Sequence, residues 1–130
     1  MKNALMVGTL VGALSLASVA SAAVMSAAPS DSWTVTNYYK QVVYGPDQKK
    51  IGDVDDVLVD KSGKVTGLVV GVGGFLGMGS KDVILPFSDV NVQKKDNSWW
   101  LSINETKDSL KAAQGFTYDR DSTTWRPEKT

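Results

Sequence analysis

Between Tyr38 and Ile103 apolar and polar residues alternate in short runs separated by turn chemistry, a period of two that predicts strands rather than helices. Trp33 to Asn37 carries a brief β-branched alternation, read as an edge strand or an ordered lead-in. Tyr38, Tyr39, Val42, Val43 and Tyr44 form the next β-prone run, and Gly45-Pro-Asp-Gln48 is a turn. Ile51 to Val59 is the clearest strand. Strict alternation puts Ile51, Val57 and Val59 on one face with Asp53 and Asp55, and Val54 and Leu58 on the other with Asp56. Asp60-Lys-Ser-Gly63 turns the chain, and Lys64 to Val72 returns, which predicts a hairpin. Leu68, Val69, Val70 and Val72 are nearly continuous, as in a strand covered on both sides or sharply bent.

Downstream, Asp82 to Pro86 reads as a strand that ends or lies at an edge, because Pro86 has no N–H to give a ladder. Phe87-Ser-Asp89 is a tight turn. Val90 to Val92 and Trp99 to Ile103 then flank a polar loop at Lys94 to Ser98, a second hairpin. Thr106 caps a predicted helix, Lys107 to Gln114, which Gly115 stops; with Leu110 as its one large apolar residue, that helix must dock to persist. Phe116 to Tyr118 fits an added strand, and beyond Arg120 only Trp125 suggests contact. Five or six short strands with closely spaced turns predict a small all-β barrel or sandwich.

The organising stretch lies between the third and fourth predicted strands. Gly71, Gly73, Gly74, Gly77 and Gly79 are interleaved there with Val72, Phe75, Leu76 and Met78. It is neither a dinucleotide nor a phosphate loop. Leu76 occupies the third glycine slot of the first pattern, no helix follows, and Ser80 displaces Lys81 by one place from the second. The glycines, with Gly52, are expected to serve backbone geometry. Phe75, Leu76 and Met78 either fold back to plug the barrel mouth or form an apolar tip that docks a partner.

Composition narrows the chemistry. Lys2 followed by the uncharged run Ala4 to Val19 and by Ala20-Ser21-Ala22 has the form of a cleaved secretory signal peptide, residues 1–22. The mature chain then has a flexible lead at 23–36, a barrel at 37–104, and a short helix with a tail at 105–130. No membrane span is expected to remain after cleavage. Removing Lys2 leaves 13 basic against 14 acidic side chains, no footprint for nucleic acid. The chain contains no cysteine and no histidine, which excludes thiol nucleophiles, Ser-His-Asp triads and cysteine- or histidine-ligated zinc. Carboxylates, hydroxyls, lysines and tyrosines are left.

Ile51-Gly-Asp-Val-Asp-Asp-Val-Leu-Val-Asp60, Gly63 to Gly71, Gly73-Gly-Phe-Leu-Gly-Met-Gly79 and Asp82-Val-Ile-Leu-Pro-Phe87, in that order, resemble the PRC-barrel. This module is named from the H subunit of photosynthetic reaction centres and is shared with a ribosome-maturation factor. The resemblance runs from about Tyr38 to Ile103, and the segment Thr106 to Ala113 resembles the exported, single-domain branch. It implies a six-stranded barrel that docks or assembles proteins, with no family-wide catalytic residue and no cofactor. The expected function is therefore a periplasmic, non-enzymatic interaction module whose partner is another protein or a second copy of this chain.

Two other readings stay open. Asp53, Asp55 and Asp56 form an acidic cluster, with Asp60 close by, that would serve a calcium binder or a carboxylate enzyme; Val57 and Val59 break the spacing of an EF-hand loop. An abundant envelope stress or structural protein would have the same sequence features. Adjacent Trp99 and Trp100 must point to opposite sides of a strand, so one is expected in the core and the other, Trp100, at a surface suited to an interface.

Overall fold

The computed structural model describes residues 24–75 and 79–129, and the side chains of these save 74 and 75. The predicted signal peptide and Leu76, Gly77 and Met78 lie outside the described residues. Two units are distinguished, one ending at Ser32 and one beginning at Trp33. The described part of the first, 24–32, is exposed and holds a turn closed by the Ser32 N–H on the Pro29 carbonyl at 3.1 Å.

The second unit is mostly strand: β1 Val42–Tyr44, β2 Lys50–Val59, β3 Val65–Phe75, β4 Gly79–Pro86, β5 Asn91–Lys95, β6 Ser98–Ser102, β7 Phe116–Asp119 and β8 Thr124–Pro127. One helix, α1 Lys107–Lys111, precedes β7. All eight strands belong to one sheet, in the order β5-β6-β1-β2-β3-β4-β7-β8, and the sheet does not close. The all-β expectation is met; the closed six-stranded barrel is replaced by an open sheet of eight. The tail Thr124–Pro127, where only Trp125 suggested contact, supplies one of the extra strands, because β7 gives it a partner from Phe116↔Pro127 to Asp119↔Thr124.

The inward face is a single core. Val43 from β1, Val54 from β2, Leu68 and Val70 from β3, Val83 from β4 and Leu101 from β6 belong to one cluster. Strands from β6 to β4 can share one cluster only if the sheet curls around it. Leu110 of α1 and Ile103 join the same cluster, which is how a helix too short to stand alone is held. That helix ends at Lys111 rather than Gln114. Thr106 caps it as expected: its hydroxyl accepts from the Ser109 N–H at 3.1 Å, and the Ser109 hydroxyl accepts from the Thr106 N–H at 3.0 Å. The Lys81 ammonium closes the other end, donating to the carbonyls of Lys111 and Ala113 at 2.6 Å each.

Of the two readings of Trp33 to Asn37 the ordered lead-in holds: it runs into a single 3₁₀ turn, Val35–Asn37, with Trp33 stacked on Tyr38. One local expectation fails for an identifiable reason. In β2 strict alternation breaks at a bulge: Val54 pairs with Val70 and Asp56 with Val69, leaving Asp55 as the additional residue. Val54 and Val57 consequently both face the core, while Asp53 and Asp56 face outward. A single extra residue reverses the facing predicted for everything after it.

Candidate functional site

The glycine stretch becomes the end of the β3–β4 hairpin. Phe75 pairs with Gly79, and residues 76–78 join them. Gly79 sits at φ +73°, a left-handed conformation that disfavours any side chain. Gly52 is required for a different reason: a Cβ there would collide with the Gly71 carbonyl oxygen on β3. Around Gly73 the nearest atom to an added Cβ among the described residues is 3.9 Å away, so none of them demands glycine there. The question of plug or tip turns on the side chains of Phe75, Leu76 and Met78, which lie outside the described residues, as do the surroundings of Gly74 and Gly77.

The β5–β6 hairpin carries aromatic groups on both sides. Its turn, Asp96-Asn97, has positive φ at both residues (46° and 67°), as a tight two-residue connection requires. Trp99, expected in the core, lies on the Leu101 side but is half-buried and outside the core cluster, with its ring centroid 3.9 Å from that of Trp33 and Lys94 above it. Trp33 in turn stacks on Tyr38, whose ring meets Phe87 edge-on at 5.4 Å. Trp100 points the other way and lies flat against Tyr44, with centroids 3.7 Å apart and an interplanar angle of 3°. Lys95 places its ammonium 4.4 Å from the Trp100 ring centroid, a cation–π contact. The surface aromatic expected from sequence is thus half-buried and fixed between a tyrosine and a lysine.

The acidic cluster is divided among separate tasks. Asp53 pairs with Lys50 at 3.2 Å, both largely exposed. Asp56 accepts the Trp125 indole N–H at 2.8 Å and the Val57 N–H at 2.8 Å. Asp60 ties the β2–β3 turn, its Oδ1 accepting from the Ser62 N–H and hydroxyl and from the Lys64 N–H; these bonds hold its carboxyl below the usual aspartate range. Asp55, displaced by the bulge, leans across Gly71 towards Asp82 of β4. An added Cβ on Gly71 would lie 2.5 Å from Asp55 Oδ2 and 3.3 Å from Asp82 Oδ1, so the missing side chain is what lets the two carboxyls approach. Burial pushes the Asp82 carboxyl up to about 7, reinforced by its hydrogen bond to Asp55 and by the negative charges of Asp55 and Glu128. Two carboxyls share a hydrogen bond only when one of them holds a proton.

Sequence reading missed Asp82 and Glu128. The available signal was Asp82 and Ile84 alternating with the core residues Val83 and Leu85, opposite a glycine on β3. Among the described residues no group of three or more carboxylates is arranged to hold a metal ion. No helix among them is long and apolar enough to cross a membrane.

Comparison with known proteins supplies the family. The model of the PRC-barrel domain matches residues 34–110, more than half of the chain. No curated protein matches it.

Proposed function

The chain belongs to the PRC-barrel domain family, and from that premise we propose that it is an exported, non-catalytic module that docks another protein in the periplasm. The observation that carries this reading is the outward pair Tyr44 and Trp100 with Lys95 over the indole. Rigid aromatic rings beside a cation are the groups that dominate binding energy at protein interfaces, because they bring large contact area at little cost in rotamer entropy. They also adjoin β5, whose far edge has no strand partner among the described residues. The residues around the β3–β4 connection, Phe75, Leu76 and Met78, are the second contact, and self-association through either face is the alternative partner. Export rests on the leader-like residues 1–22, and the lack of histidine and cysteine favours a non-enzyme.

The test uses a photo-crosslinking amino acid placed in turn at Trp100, at Phe75 and, as a control, at Lys61 in the exposed β2–β3 turn. In periplasmic fractions, positions 100 and 75 should give one discrete protein adduct that position 61 does not. Equal labelling at all three positions overturns the docking reading. Recovery of the chain in the cytoplasm with its N-terminus intact overturns export. The double change Phe75→Ser with Leu76→Ser should abolish the adduct and leave the β circular-dichroism spectrum and a cooperative melt in place.

A further inference from the structure

The β7–β8 hairpin cannot lie flat at the end of the sheet. Four strand spacings of about 4.8 Å would leave β8 roughly 19 Å from β2, yet Trp125 of β8 donates to Asp56 of β2 at 2.8 Å. β7 is joined to β4 by the single pair Asp82↔Phe116. The hairpin must therefore fold back across the outward face of β2–β4, pivoting on that pair. Val69 shows what it covers. It pairs with Asp56 on one side and Ile84 on the other, faces away from the core cluster, and is nevertheless 0% exposed.

Under the pivot stand three carboxyls: Asp55 from the β2 bulge, Asp82 on β4, and Glu128 just beyond β8. Glu128 is held on the hairpin side, accepting from the Thr117 hydroxyl at 3.2 Å, with its backbone N–H on the Gly115 carbonyl. β3 has no titratable residue. Lys81 alternates away from Asp82 on β4, and its ammonium donates to the carbonyls of Lys111 and Ala113, but its side chain lies with the Glu128 carboxylate beside Gly115. On the hairpin, Arg126 is bound to Asp119 at 3.0 Å. Negative charge on the sheet thus faces negative charge on the hairpin; Lys81 and Lys129 line a recess with Glu128, and Lys50 and Lys107 line one beside Gly71, but among the described residues no ion pair joins these four to Asp55, Asp82 or Glu128.

We propose that the β7–β8 hairpin is a proton-governed flap, closed over Val69 and Ile84 while one proton is shared between Asp55 and Asp82, and released when that proton leaves. The high proton affinity of Asp82 sets the change between mildly acidic and mildly alkaline conditions. The inference does not depend on the docking reading.

Hydrogen exchange of the full chain at pH 5.5 and 8.5, corrected for intrinsic rates, tests it. Amides of residues 117–126 should lose protection about tenfold or more at pH 8.5, while those of β2 and β3 keep theirs. Asp82→Asn retains a hydrogen-bond donor towards Asp55 and removes the charge, so its hairpin should be equally protected at both pH values. Equal protection in the unaltered chain, or unchanged pH sensitivity in Asp82→Asn, overturns the proposal. Loss of protection in β2 and β3 together with the hairpin also overturns it, since that outcome is global unfolding.

Discussion

The two hairpins at the ends of the sheet are alike in length and unlike in how they are held. β5–β6 pairs along its whole length and then joins β1 in parallel at Val43↔Leu101 and Tyr44↔Ser102, with Leu101 in the core. β7–β8 pairs within itself but meets the rest through one bridge, one indole hydrogen bond and a set of carboxyls. One hairpin is built into the fold by apolar burial, which is insensitive to pH. The other adds to its cover over Val69 and Ile84 a set of polar contacts, whose strength depends on charge. Position at an edge therefore says little about how firmly a strand is fixed.

The comparison breaks most directly at Leu101. Leu101→Ala should destabilise the whole unit by about 2–5 kcal/mol, because the cavity opens where β6 meets β1; denaturant unfolding measures it, and a cost below about 1 kcal/mol would mean that β6 is peripheral. Gly52→Ala should cost about 1–3 kcal/mol by driving β2 from β3, with a matching fall in the melting temperature. Trp125→Phe should remove about 1–2 kcal/mol from the hairpin alone. It should raise exchange at β7 and β8 and move the global melt little. A global loss as large as that of Leu101→Ala would erase the distinction between the two ends. Asp53→Asn, which breaks only the exposed pair with Lys50, should change stability by less than about 0.5 kcal/mol in a thermal melt.

The pH dependence sharpens the same contrast. Asp82 keeps its proton in the folded chain up to about pH 7, against 3.8 for an unperturbed aspartate. Between these values the folded state binds more protons than the unfolded one. Its contribution is therefore fully present below about pH 4, declines as pH rises towards 7, and is absent above. Allowing for solvent screening at a partly exposed site, the decline is on the order of 1 kcal/mol. Asp60 and Asp119 act with the opposite sign, since their lowered values make stability fall as pH drops below the ordinary aspartate range. Melting temperatures should thus peak on the mildly acidic side, and a maximum above pH 8 would contradict the shared proton.

Most of the strands were legible because alternation and turn residues agree. Asp60 and Gly63 bracket the β2–β3 turn, and Thr106 caps α1, as their side chains dictate. Three things were hidden. The bulge at Asp55 follows from pairing with β3 and leaves no mark in β2's own residues. β8 contains Thr, Trp, Arg and Pro and acquires strand geometry only from its partner. The proximity of Asp55 and Asp82 is set by sheet register across a glycine, not by spacing along the chain. Trp99 and Trp100 did separate to opposite sides as a strand demands, but what stacks on each came from distant residues.

The parallel pairing of β1 with β6 has a kinetic consequence. Val43 and Leu101 are 101 − 43 = 58 residues apart, whereas β2, β3 and β4 follow one another closely in sequence. Closing a long loop costs more chain entropy than closing a hairpin, so the β2–β3–β4 meander should assemble first and the β1–β6 seam late. Until Leu101 is available, the edge of β1 stays unpaired. A chain delivered N-terminus first would carry that open edge through most of its emergence, and the interval before the seam closes is when it is most exposed to aggregation.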